Sequence, residues 1–206
     1  MNGTQPTEQN DQIQIAIIDE TYGVIEEDAD WKIAREELRR TLEAEHGLPF
    51  EDGDIGPGAS LPAFITFLSG TAPVPLWTMS AALFFLGKPI MENLTAWRDV
   101  ASKLRAFLKR PVALNRHGAA IIAVEAVFDQ MGGLPREVRL LSYGTRHVDD
   151  DEEIVDTGIA GATPTLFLGF IRHVFRIEAD GVTFAVEVDG RIATTKRIDL
   201  EGIPSS

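Results

Sequence analysis

Apolar and polar positions change their period several times along the chain, and each change marks an element. Ile15, Ala16, Ile17 and Ile18 are apolar without alternation. That predicts a strand over 13–19 that is covered on both faces and lies inside a sheet. After a polar turn over 21–28, the period becomes helical. Trp31, Ala34, Leu38 and Leu42 share one face, while Glu36, Glu37, Arg39, Arg40 and Glu43 occupy the other. Asp30 as N-cap and Gly47 as stop bound this predicted helix at 31–46. Residues 49–58 hold several turn formers and read as a loop.

No charged residue occurs from Ile55 to Gly87, and Leu61–Leu86 is mostly apolar. The run is long enough for a membrane span, but Gly70, Pro73 and Pro75 interrupt it. It therefore reads as two short helices, 61–69 and 76–86, each too short to cross a bilayer alone. Pro89 then opens a helix expected to reach Lys109. Ile90, Leu94, Trp97, Ala101, Leu104 and Leu108 recur along it in steps of four and three. That is a heptad-like seam, suited to a core or to a partner helix.

Residues 111–114 read as a short extended link. Asn115 is placed to cap a helix over 116–131 that stops at Gly132-Gly133. A strand is expected at 138–143, a surface loop at the acidic run 149–153, and a small-residue connector at 158–165. In the last third the period becomes two. Phe175 and Ile177 alternate with Arg176 and Glu178, and Phe184, Val186 and Val188 alternate with Thr183, Ala185 and Glu187. Three strands follow, at 166–177, 182–188 and 191–198, with Asp180-Gly181 and Asp189-Gly190 at the joints as tight-turn signals. The fold class is α+β. A helical N-terminal and central part packs on a small, mainly antiparallel sheet that includes a C-terminal three-stranded meander. Residues 1–11 read as a disordered polar tail and 12–206 as one domain, with a sub-boundary at 110–115.

Composition narrows the chemistry. The 206 residues include no cysteine, so disulfides, thiolate nucleophiles and cysteine-held metals are excluded. The 32 acidic side chains outnumber the 19 basic ones, for a net charge of −13. Such a field repels phosphate backbones, so no nucleic-acid partner is expected. The cationic cluster Lys103, Arg105, Lys109 and Arg110 falls at a predicted helix end, where it complements the helix dipole. The N-terminus lacks the basic and apolar regions of a secretory leader, and a cytoplasmic location is expected.

Gly56-Pro57-Gly58 lacks the spacing and the lysine of a phosphate loop, and no dinucleotide, nucleophile-elbow or zinc-protease motif occurs. No cofactor and no metal are expected. The acidic clusters at 26–30, 51–54 and 149–153 read as solvated loop charge. Of the four histidines, His46 sits at a helix C-terminus, and His173 shares a strand face with Phe175 and Ile177. The candidate catalytic set is His117, Glu125 and His147. His117 and Glu125 lie eight residues apart on one helix, about 12 Å along its axis. Glu125 in an apolar helix invites a raised pKa or a satisfying arginine.

The leading expectation is a non-enzymatic protein-interaction module that binds a protein partner or itself. Trp77, Ile90, Leu94, Trp97, Leu104 and Leu108 are the candidate contact residues, since aromatic anchors dominate interface energetics. One alternative is a membrane-associated effector inserting through 61–86. Another is a small enzyme using His117, Glu125 or His147.

Overall fold

The computed structural model describes residues 13–25, 27–54, 62–68, 83–92, 94–110, 112–147, 154–155, 171–190 and 192–198. The expected tail, Trp77, the acidic run 149–153 and the connector 158–165 lie outside these residues. The α+β class holds, but there are two antiparallel sheets where one was expected.

The N-terminal sheet has the order β2-β3-β1-β4, with β1 Ile13–Ile18, β2 Glu51–Asp54, β3 Pro62–Leu68 and β4 Val112–Leu114. Strand β1 lies inside it, flanked by β3 (Ile17↔Phe64) and β4 (Ile17↔Val112). Its continuous apolar run is explained by burial on both faces. Ile13, Ile15 and Ile17 enter the main core, while Ala16 joins Ala63 and Ala113 in a small cluster on the other face.

Two expectations are corrected here. Residues 62–68 form a strand, not a helix, because Phe64, Ile65, Thr66 and Phe67 are the aromatic and β-branched types that suit a pleated, half-buried surface. Pro62 begins the strand, where a missing N–H is tolerated. Residues 51–54, expected as loop, form the edge strand β2, whose acidic side chains face solvent. A Cβ at Gly53 would meet the end of the Ile65 side chain, which would have to shift to admit it.

Helix α1, Asp28–His46, begins earlier than expected, with Glu27 at its N-cap; Asp28 and Asp30 lie in the first turn, next to the positive helix end. Gly47 closes it at φ +65° with its N–H donating to the Glu43 carbonyl. Residues 83–85 form a helical turn, the described part of the helix expected at 76–86. Helix α2 is shorter than expected, Leu94–Phe107. Ile90 is instead in a β-bridge with Val138, exchanging backbone hydrogen bonds of 2.7 and 2.9 Å. Among the described residues, no helix is long and apolar enough to cross a membrane.

Helix α3, Arg116–Met131, has the expected bounds. Asn115 Oδ1 accepts the Gly118 N–H at 3.0 Å, and Gly132 ends the helix at φ +71°. It is apolar nearly all round because it packs on both sheets and on α2. Asn115→Ala is expected to cost at least about 1 kcal/mol in urea unfolding, since it orphans a buried N–H at the helix start.

The C-terminal sheet has the order β6-β5-β7-β8-β9, with β5 Val138–His147, β6 Ile154–Val155, β7 Ile171–Ala179, β8 Val182–Asp189 and β9 Ile192–Ile198. The expected meander is present as β7-β8-β9, and β5 extends it. Asp180 (φ +48°) and Gly181 (φ +80°) form the two-residue turn between β7 and β8. Both angles are left-handed, the pattern of a type I′ hairpin turn. A bulge between Leu140 and Ser142 inserts Leu141 into β5. One hydrophobic cluster includes Ile13, Ile15 and Phe64 of the first sheet, Trp97, Leu104, Ile121 and Phe128 of the helices, and Phe175, Phe184 and Val186 of the second sheet.

Candidate interaction surface

The apolar seam of α2 faces inward. Trp97 is 1% exposed and Leu104 0%; Ile90, Leu94 and Ala101 are buried, and Leu108 packs partly buried against the same cluster. Five of the six residues expected to meet a partner are therefore occupied by this chain's own core, and the sixth, Trp77, lies outside the described residues. The period is right, but a heptad seam does not specify whose surface fills its grooves.

Two of the candidate catalytic residues, His117 and Glu125, have separate surroundings. Glu125 is buried and meets Arg105 of α2 at 3.1 Å, while Arg105 also reaches Asp129 at 3.2 Å. Burial pushes the Glu125 carboxyl up, and the Arg105 guanidinium opposes that shift. These groups border an open cleft of about 230 Å³, whose other walls include Leu108, Ile122, Ala126 and Ala193. Two carboxylates already held by one guanidinium form a structural ion pair, with no histidine in the cleft wall. His117 lies elsewhere on α3, buried edge-on against Phe85 with ring centroids 5.3 Å apart. His147 ends β5, paired with Ile171. Among the described residues, no group of three or more His, Asp or Glu is arranged to hold a metal ion.

Two polar arrangements escaped the sequence reading. Asp19 is sealed just beyond β1, and its Oδ1 accepts from the Thr21 N–H (3.0 Å) and hydroxyl (2.6 Å). Its Oδ2 lies 3.8 Å from Arg35 Nε, and Arg35 continues to Asp52 at 3.2 Å while stacking over Trp31 and Phe64. This pins α1 to the first sheet. The second arrangement is His173 of β7, 5% exposed. Its Nε2 donates to the Leu114 carbonyl at 3.1 Å, so its Nδ1 accepts from the Tyr143 hydroxyl at 2.9 Å. The ring thus ties the second sheet to β4 of the first. Burial lowers its pKa to about 4, so it is neutral at pH 7. The strand parity that places His173 inward was visible in the sequence; its partners, 30 and 59 residues away, were not.

Exposed apolar area gathers where residues 83–91 run beside β5. The helical turn points Phe84 inward against Trp97 (5.4 Å) and Phe85 against Tyr143 (5.6 Å). Leu83 and Leu86 consequently face outward. Gly87, at φ +68°, donates to the Phe84 carbonyl and brings its Cα face to the Leu140 carbonyl. The Ile90–Val138 bridge then fixes the segment along β5, exposing Met91, and the bulge exposes Leu141. The exposures are 39% for Leu83, 68% for Leu86, 66% for Met91 and 46% for Leu141. Lys88 and Glu92 are exposed beside them.

Comparison with known proteins identifies no counterpart: no family model, no curated protein and no solved structure matches the chain.

Proposed function

We propose that the chain is a non-enzymatic protein-interaction module whose contact surface centres on Leu83, Leu86, Met91 and Leu141. The observation that carries this reading is their joint exposure on two adjoining segments held in place by backbone pairing. An apolar patch rimmed by polar groups is the usual form of a contact site, because water gains by leaving it. The helical turn and the bulge both direct leucines outward that a different local geometry would bury. The buried seam of α2 supplies rigidity under the patch through the Phe84–Trp97 contact. The ion-paired Glu125 and the internally bonded His173 act as structural groups, which favours binding over catalysis.

The test is a double variant, Leu86→Glu with Leu141→Glu. Both positions are exposed, so stability in urea is expected to stay within about 0.5 kcal/mol of the parent per change. Sedimentation across a concentration series is expected to show association of the parent chain, or capture of a defined partner, and its loss in the variant. A parent chain that stays monomeric and captures the same proteins as the variant would sink the proposal. Flotation of the parent with vesicles, abolished in the variant, would instead move the patch to a lipid surface.

A further inference from the structure

The outer face of the C-terminal sheet has a charge opposite to that of the whole chain. Pairing registers place Ser142, Arg176, Ala185 and Lys196 side by side across β5, β7, β8 and β9. The same registers put Arg139 beside Glu178 and Arg146 beside Arg172. The opposite parity carries Phe175, Ile177, Phe184, Val186 and Val188 into the core, so these polar residues share the outward face.

On this face the five cations Arg139, Arg146, Arg172, Arg176 and Lys196 oppose the three anions Glu178, Glu187 and Asp189, on a chain of net charge −13. The anions are not shared evenly. Arg146 and Arg172 take Glu187 at 3.0 and 3.5 Å, and Arg172 also reaches Asp189 at 3.6 Å. Among the described residues, Arg139, Arg176 and Lys196 enter no ion pair, and the Arg139 Nε is buried without a hydrogen-bond partner.

We infer that this face docks an acidic, extended peptide segment of a partner protein, with Arg139, Arg176 and Lys196 as the reading groups. Neighbouring strands are about 4.8 Å apart, so Arg176 and Lys196, separated by β8, have Cα atoms about 10 Å apart. Carboxylates three residues apart on a peptide in the extended polyproline-II conformation lie on one side of it and are separated by about 9 Å, close to the same distance. Arg139 is the diagonal neighbour of Arg176, about 7–8 Å away, within reach of a further carboxylate on the same peptide. Ala185 and Ser142 keep the floor between these cations low. Guanidinium forks match carboxylates in two-point contact. A nucleic acid fits less well. Among the described residues, no aromatic ring stands on this face to stack a base, and Glu187 and Asp189 would meet its phosphates. The surface adjoins the leucine patch at Leu141, which lies between Arg139 and Ser142 in β5, but it rests on different residues and stands without the patch.

Fluorescence anisotropy of the intact chain with a labelled peptide tests this. The probe is a Ser/Gly decamer with Glu at every third position, and its Gln counterpart is the control. The Glu peptide is expected to bind with a Kd on the order of 100 μM at low salt, weakening at least about fivefold in high salt. The triple variant Arg139→Gln, Arg176→Gln, Lys196→Gln is expected to bind about tenfold or more weakly with unchanged circular dichroism. Equal binding of the Gln peptide, or of the triple variant, overturns the assignment. Tighter binding of an oligonucleotide or an anionic phosphatidylserine vesicle through the same three residues also overturns it. If the triple variant loses its fold, Arg176→Gln alone decides, since Arg176 is exposed.

Discussion

Replacing Trp97 by alanine is expected to destabilise the chain by about 3–5 kcal/mol, a large part of the stability of a domain of this size. Trp97 is 1% exposed and meets Phe84 edge-to-face at 5.4 Å. It sits in the seam with Leu94, Ala101 and Leu104, so truncation leaves a cavity that two sheets and α3 have little freedom to fill. Urea unfolding followed by circular dichroism gives the number. Trp97→Phe separates packing from the polar end. The indole N–H is buried without a hydrogen-bond partner, so phenylalanine sheds a desolvated donor while keeping a ring, and about 1–2 kcal/mol of loss is expected. An interface anchor behaves oppositely: its truncation weakens partner binding and leaves stability near the parent value. A Trp97→Ala chain with unchanged stability would therefore return the seam to the role of a contact surface.

How much of this was legible in the sequence depended on whether the deciding interaction was local. The bounds of α3 were readable because Asn115 and Gly132 act on backbone groups three or four residues away. The β7-β8-β9 meander was readable because Asp180-Gly181 sets its register and the period of two sets its faces. Strand β3 was not readable. Its apolar run fits a buried helix as well as a buried strand, and the choice is made by β1, which lacks a partner along one edge without it. Strand β2 has almost no intrinsic strand preference and exists because β3 offers it a backbone ladder. The start of α2 was misplaced for the same reason: Ile90 exchanges two hydrogen bonds with Val138, 48 positions later in the chain.

The candidate sites divide in the same way. Glu125 in an apolar helix announced a burial conflict, and Arg105 resolves it from the neighbouring helix. The grouping of His117, Glu125 and His147 depends on a distance between α3 and β5 that periodicity within one helix has no power to fix. The leucine patch was invisible because nothing in the spacing of Leu83, Leu86 and Leu141 says which way a single helical turn and a bulge will point them. The cationic face was hidden in a different manner. Arg139, Arg176 and Lys196 are spread over 58 positions of an acidic chain, and only the strand register gathers them.

His173 gives the second large effect, expressed through pH. Its ring is buried, and that burial lowers its pKa from 6.5 to about 4, against the weaker opposing pull of the Leu114 carbonyl and of Asp189. Between these two values the unfolded chain binds a proton that the folded chain refuses, so stability rises with pH across this window. The contribution is complete above pH 6.5 and is lost progressively as pH falls toward 4. A shift of this size corresponds to about 3 kcal/mol. Other ionisable side chains also contribute to the pH dependence of the parent, which is why its curve alone is not diagnostic. His173→Gln removes the titrating ring and leaves the others in place. At pH 7 the variant is expected to be about 2–3 kcal/mol less stable than the parent, because the Leu114 carbonyl and the Tyr143 hydroxyl lose well-placed partners. As pH falls to 4 the parent pays its protonation penalty and the variant does not, so the gap between them is expected to close. Urea unfolding of both chains at pH 7, 6, 5 and 4 measures that difference. A gap that stays constant over the series would mean that His173 is not held neutral, and that the ring joining the two sheets carries its proton into the core.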